Sequence, residues 1–210
     1  MSGGRLITFE GVEGCGKSTQ LLLLARHLQQ RGIAFVTTRE PGGTPLGERV
    51  RELLLDPRLV PVPAAELFLF EAARAQLVAG VIEPALLAGT TVLSDRFADS
   101  SVAYQGGARG IPAETVARLN ALACAGLVPD RTLVFDLDVE LAFHRARRRP
   151  TTKADNRRFE DEALAFHQAV AEGYRALARS EPARVTVVDA SGTPEEVHER
   201  TKAAVADLLP

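Results

Sequence analysis

The chain has 210 residues, 25 basic against 27 acidic, for a formal charge of −2, and its only cysteines are Cys15 and Cys124. The length suits one α/β domain with a continuous core, and the even charge leaves no global footprint for nucleic acid. Two cysteines are too few for a disulfide framework, and Glu83 and Pro84 interrupt the longest apolar run before it could span a membrane, so a soluble cytoplasmic protein without membrane or nucleic-acid partners is expected.

Leu6-Ile7-Thr8-Phe9 reads as a short buried strand that opens no secretory signal. Gly11-Val12-Glu13-Gly14-Cys15-Gly16-Lys17-Ser18-Thr19 follows and matches G-x-x-x-x-G-K-[ST], the loop that cradles nucleotide phosphates. The glycines let successive backbone N–H groups turn inward toward phosphate oxygens. Leu21, Leu22, Leu24, Ala25 and Leu28 then recur at helical spacing, and a helix starting near Ser18 brings its positive end to the same point. Lys17 would reach the outer phosphates, and Ser18 would take a position on Mg²⁺.

Gly32 ends this helix, and Ile33 to Thr37 is the second predicted strand, leading into the loop Arg39-Glu40-Pro41-Gly42-Gly43-Thr44-Pro45. Leu46 to Leu55 reads as a helix closed by Asp56-Pro57. Ala64 to about Leu87 is a long helical pattern that Pro84 should kink or split. Thr91 to Ser94 is a strand ending in Asp95-Arg96, followed by a Ser, Tyr, Gln and Gly cluster between Asp99 and Gly110. Helices are expected over Pro112–Cys124, Val139–Arg149, Phe159–Arg179 and Pro194–Leu209, and strands over Arg131–Leu137 and Arg184–Val188.

Strands alternating with helices predict an α/β fold, a parallel sheet of five strands with helices on both faces. Right-handed crossovers place the loop after each strand on one edge, where open α/β sheets bind ligands. The phosphate loop, Arg39–Thr44, Asp95-Arg96, the segment after Phe135 and Asp189-Ala190-Ser191 would share that edge.

Several side chains on these loops and on the predicted helices suit nucleotide chemistry. Phe70 can stack on a base or serve as core, and Arg74, one helical turn on, shares its face and can donate to a base carbonyl. Arg39, Arg74 and Arg96 offer planar forks that match phosphate oxygens. Asp95 at its strand end, and Glu10 directly before the loop, can orient Mg²⁺ or pair with an arginine. Glu13 is out of place in an anion loop unless a hydroxyl or cation meets it. Arg145 to Arg158 holds seven basic residues against the single acid Asp155. That block reads as a solvated face, a nucleic-acid patch or a lid over ATP.

Together these pieces resemble a bacterial thymidylate kinase of the nucleoside monophosphate kinase group. Phe9 to Thr19, Arg39 to Thr44, Phe70 to Gln76, Asp95-Arg96, Ser100 to Gly110 and Asp189-Ala190-Ser191 follow the family's order over nearly the whole chain, as a single kinase domain. The resemblance implies transfer of the γ-phosphate of MgATP to dTMP, for dTTP synthesis. It implies that Arg74 meets thymine O4, that Ser101 meets the N3 edge with Gln105 nearby, that Tyr104 crowds the sugar's 2′ position, and that Glu13 contacts the 3′-hydroxyl. It places the segment 145–158 as a lid. Since Cys15 stands where some relatives carry a catalytic arginine, Arg149 or Arg158 from the lid would join Lys17 and Arg96 in catalysis. It also implies a homodimer, for which the Ala64–Leu87 helix offers a face.

Two other readings are open. A kinase for another small acceptor such as dUMP is compatible with Phe70, Arg74 and Ser101, because a missing methyl alters binding only modestly. A nucleotide-dependent switch finds support in Thr152-Lys153-Ala154-Asp155 and Asp189-Ala190-Ser191-Gly192, but these stand in the reverse of the order a GTPase needs. Cys15 is either a small packing residue or a thiol activated near Lys17, which ATP would protect. Cys124 belongs to the core, and His27, His144, His167 and His198 show no metal-ligand spacing.

Overall fold

The structure, a computed structural model, describes residues 3–148, 158–159 and 162–209. Five parallel strands form one sheet in the order β2-β3-β1-β4-β5: β1 (Leu6–Glu10), β2 (Phe35–Arg39), β3 (Thr91–Asp95), β4 (Arg131–Asp136) and β5 (Val185–Asp189). Register aligns their carboxyl ends, with Arg39 opposite Asp95, Phe9 opposite Asp95, Glu10 opposite Val134 and Asp136 opposite Asp189. The five loops expected on one edge are therefore there.

Side chains alternate across the sheet, as the two-residue period of a strand requires. Leu6 and Val92 face Leu77, Val78, Ile82 and Phe97 on one side. Ile7, Phe9, Leu93, Leu133 and Phe135 face Leu24, Leu28, Val170 and Tyr174 on the other. The rings of Phe9 and Phe135 stack at 5.8 Å, 9° from parallel. The fully buried Thr8 and Thr132 share a hydrogen bond of 2.9 Å, and the Thr132 hydroxyl donates to Asp99. Arg184 clasps the same carboxylate through both terminal nitrogens at 2.7 and 2.9 Å. This pins helix α5 (Ala98–Ser101) beside the sheet and sets where Ser100 and Ser101 point.

The helices differ from expectation in places that have local causes. Helix α1 (Lys17–Gln30) ends with Gly32 at φ 68, and Ile33 N–H donates to Leu28 O at 3.0 Å. That cap uses the Ile33 amide, so β2 begins at Phe35 rather than Ile33. The long helix is divided into α3 (Pro63–Leu77), a π-helical turn over Val78–Ile82 and α4 (Glu83–Leu87). Pro84 has no N–H to give, and the widened turn, with Glu83 N–H on Val78 O, absorbs the break. A second π-helical stretch, Val102–Ala108, follows α5. Helices α2 (Pro45–Leu55), α6 (Ala113–Ala123) and α7 (Val139–Arg148) lie close to their expected spans. Helix α8 (Leu164–Ser180) starts five residues later than expected, because Phe159 is used in a separate packing contact. Helix α9 (Pro194–Ala203) opens on a capping box between Thr193 and Glu196. Among the described residues, no helix is long and apolar enough to cross a membrane.

Candidate active site

The phosphate loop joins β1 to α1 through backbone that only glycine adopts readily: φ is 134° at Gly11, 81° at Gly14 and 100° at Gly16. A side chain at Gly14 would also meet the Ala142 carbonyl at 2.1 Å, so α7 packs directly on the loop. Gly16 caps α1 without a side chain, which leaves the first-turn N–H groups for a ligand. Lys17 curls over the loop, donating to Gly11 O at 3.0 Å and Val12 O at 2.8 Å, with its amine 3.7 Å from Cys15 Sγ. Ser18 Oγ donates to Asp95 Oδ2 at 2.6 Å.

These groups form one wall of a cleft of about 860 Å³. The same cleft is lined by Phe70, Tyr104 and Gln105 and by Arg39, Arg96 and Glu13. Arg96 stands at the strand end in a left-handed conformation, φ 73, which is strained for a residue with a Cβ and typical of functional positions. Its Nη2 donates to Glu13 at 2.7 Å and Tyr104 at 3.0 Å, and its Nη1 to Gly11 O at 3.1 Å. The Tyr104 hydroxyl lies 2.7 Å from both Glu13 oxygens. Burial alone would raise the Glu13 pKa, but Arg96, His167, Lys17 and Tyr104 outweigh it and hold the carboxyl well below the usual range. Burial, reinforced by Glu13, pushes the Tyr104 phenol far up, so it remains an O–H donor.

Not every expected residue faces the cleft. Arg74 is fully buried, donating to Glu40, Glu71, Asn120 and Phe97 O, and Ser101 Oγ accepts from it at 3.1 Å. Arg74 and Ser101, expected at the base, are thus joined in a buried network, while Phe70 and Gln105 line the cleft itself. Glu10 is likewise fully buried, accepting from Phe97 N–H, Ser100 Oγ and Tyr174 OH. Both oxygens are engaged, and the Arg96 guanidinium stands 3.9 Å away, the arginine pairing that was the second of its two expected roles. Gln105 lines the cleft but donates to Glu66 at 2.9 Å. Arg158 turns to Glu66 and Leu54 O, away from the phosphate loop. Arg149, and the lid segment from Arg149 to Arg157, lie outside the described residues.

Other residues emerge only in three dimensions. Arg51 of α2, which the sequence does not single out, lines the cleft with Arg39 and donates to Pro41 O at 3.0 Å. Burial and the Arg39 charge both disfavour its own cation, the setting of a group that awaits an anion. A signal existed: Arg51 lies one turn after Gly47, whose missing side chain lets α2 press on the Gly42 carbonyl. Phe159 packs 6.0 Å from both Phe70 and Tyr104 and closes the far end.

Cys15 and Cys124 are each 3 % exposed, and burial pushes the Cys124 thiol up to about 12. Cys15 fits closely under Gly11, the position of a packing residue. Ellman's reagent at pH 8 is expected to label neither cysteine until denaturant is added, since only an accessible thiolate reacts. Rapid labelling of folded Cys15 with loss of activity that ATP prevents would restore the reactive-thiol reading.

The family model described as "Thymidylate kinase" matches residues 9–201. A thymidylate kinase of Trichlorobacter lovleyi is 49 % identical over 206 residues, 97 % of each chain. One of Pelobacter propionicus is 50 % identical over 209 residues, 98 % of this chain and 94 % of that one. The crystal structure of thymidylate kinase from Ehrlichia chaffeensis superposes with a TM-score of 0.78 at 30 % identity, covering 97 % of this chain and 99 % of that one.

Proposed function

The chain belongs to the thymidylate kinase family, and from that premise we propose how its residues divide the reaction. The γ-phosphoryl group of ATP passes to dTMP, giving ADP and dTDP. The observation that carries the assignment of sides is the Arg96–Glu13–Tyr104 cluster, which stands between the phosphate loop and the aromatic pocket.

ATP lies with its phosphates on the loop Gly11–Thr19, where the N–H groups of α1 and the Lys17 amine meet them. Lys17 exchanges its two carbonyl partners for phosphate oxygens. The acceptor base stacks on Phe70, with Gln105 at its edge and the Arg74–Ser101 network as the floor. Glu13, held by Arg96 and Tyr104, accepts from the sugar 3′-hydroxyl, and the Tyr104 ring fills the space beside C2′. Arg39, Arg51 and Arg96 bind the acceptor phosphate and stabilise charge as the phosphoryl group moves. Of the segment 145–158, read as a lid, Arg145 lines the cleft and supplies donor-side charge.

The Ser18–Asp95 pair suits Mg²⁺. It offers one hydroxyl and one carboxylate, and among the described residues no group of three or more His, Cys, Asp or Glu could hold a metal by itself. Magnesium takes most of its ligands from water and substrate phosphates, so this sparse set fits it. Bound there, it would neutralise charge on the β- and γ-phosphates. The protein acts as a cytoplasmic homodimer, a reading supported by unpaired cysteines and by Phe68 and Leu122, exposed on α3 and α6.

A coupled ADP-release assay tests the function. With MgATP, strong turnover is expected with dTMP and little with dCMP, dGMP, AMP or no acceptor. Preference for dUMP would keep the kinase and the pocket but change the acceptor, and preference for dCMP or a purine nucleotide would sink the pocket assignment.

A further inference from the structure

Glu13 meets one side chain that this scheme does not use. His167 of α8 places Nδ1 3.5 Å from Glu13 Oε2. Its ring is 2 % exposed, with centroids 5.4 Å from Phe143 and 5.8 Å from Phe166. A phenyl ring would fill this slot without desolvating a polar edge, so packing alone does not call for an imidazole. The other nitrogen, Nε2, is buried with no partner among the described residues. These surroundings assign the ring proton to Nδ1, where it points at the carboxylate and leaves Nε2 the acceptor. The opposite tautomer would set a lone pair against Glu13 and orphan a buried N–H.

The contact also does something the other partners of Glu13 do not. Arg96 reaches Oε1, and Tyr104 reaches both oxygens, each from the segment that follows β3. The terminal torsion of a glutamate is broad, so each further contact on the carboxylate narrows the plane it adopts. His167 approaches Oε2 from a separate helix. Seven residues on, two turns along the same face, Tyr174 donates to Glu10 at 2.6 Å and accepts from Arg96 at 3.2 Å. One face of α8 thus steadies both carboxylates that flank Gly11.

We propose that His167 is a positioning residue for Glu13, fixing the carboxylate plane that receives the acceptor's 3′-hydroxyl. This rests on the assignment of Glu13 to that hydroxyl. The 3.5 Å contact shortens when the acceptor binds, as polar contacts in ligand-free sites often do.

The test compares dTMP with 3′-deoxythymidine monophosphate as acceptors in wild type, His167→Phe and His167→Asn. The wild type prefers dTMP. His167→Phe keeps the ring and loses the donor, and its preference in kcat/KM narrows about tenfold, the scale of a hydrogen bond to a charged group. His167→Asn, with an amide nitrogen near the place of Nδ1, restores most of it. The preference is a ratio within one protein, so lost folded fraction cancels and a merely structural role leaves it unmoved. An unchanged ratio in His167→Phe, or equal narrowing in both variants, overturns the proposal. A wild type indifferent to the 3′-hydroxyl overturns the Glu13 assignment itself, and the inference with it.

Discussion

Replacing Lys17 with methionine is expected to lower kcat/KM for dTMP phosphorylation about a thousandfold, the upper end for removing one preorganised charge-stabilising group. The amine sits where the loop carbonyls of Gly11 and Val12 converge, at 3.0 and 2.8 Å, and it lines the cleft. Those carbonyls hold it near the γ-phosphate position without neutralising it. Most of the loss should fall in kcat, because the charge on the transferred group is redistributed most in the transition state. Methionine keeps the length of the side chain, and Lys17 makes no ion pair within 4 Å among the described residues, so the melting temperature should barely move. A loss below tenfold in a well-folded variant would contradict the role.

The largest stability effect is expected from Arg74→Met. Arg74 is fully buried, and its partners Glu40 and Glu71 are 5 % and 7 % exposed. Removing the guanidinium strands two buried carboxylates and also strips donors from Ser101 and Asn120. Breaking a buried ion pair from one side costs roughly 3–5 kcal/mol. In a domain of this size that is a melting temperature lower by about 10 °C. Calorimetry reads this directly, and a drop of under about 3 °C would show that the network contributes little. Acceptor binding should weaken as well, since Ser101 and the loop at Glu40 lose their common anchor.

The sheet and the phosphate loop were legible because their signals are local. An apolar run, glycines at fixed spacing and a leucine-rich helix adjoin within Leu6–Leu28, and no distant partner is needed to interpret them. The same holds for the break at Pro84, although the π-helical turn that absorbs it could not be read from spacing. Orientation was less legible. Helical periodicity puts Phe70 and Arg74 on one face, yet Arg74 turns inward because acceptors arrive from Glu40, Phe97 and Asn120, on other elements. Nothing local to Glu10 foretells that Ser100 and Tyr174, distant in the chain, enclose it. Arg51, Tyr174 and His167 were missed for a similar reason: each acquires its role from residues that only the fold brings near.

The most direct test of the account traces phosphorus. With γ-³²P-ATP, magnesium and dTMP, the label is expected in the β-phosphate of dTDP, in step with ADP formation, and almost none as inorganic phosphate. Label released chiefly as inorganic phosphate, at a rate indifferent to dTMP, would contradict direct transfer between two nucleotides and favour a nucleotide-hydrolysing switch.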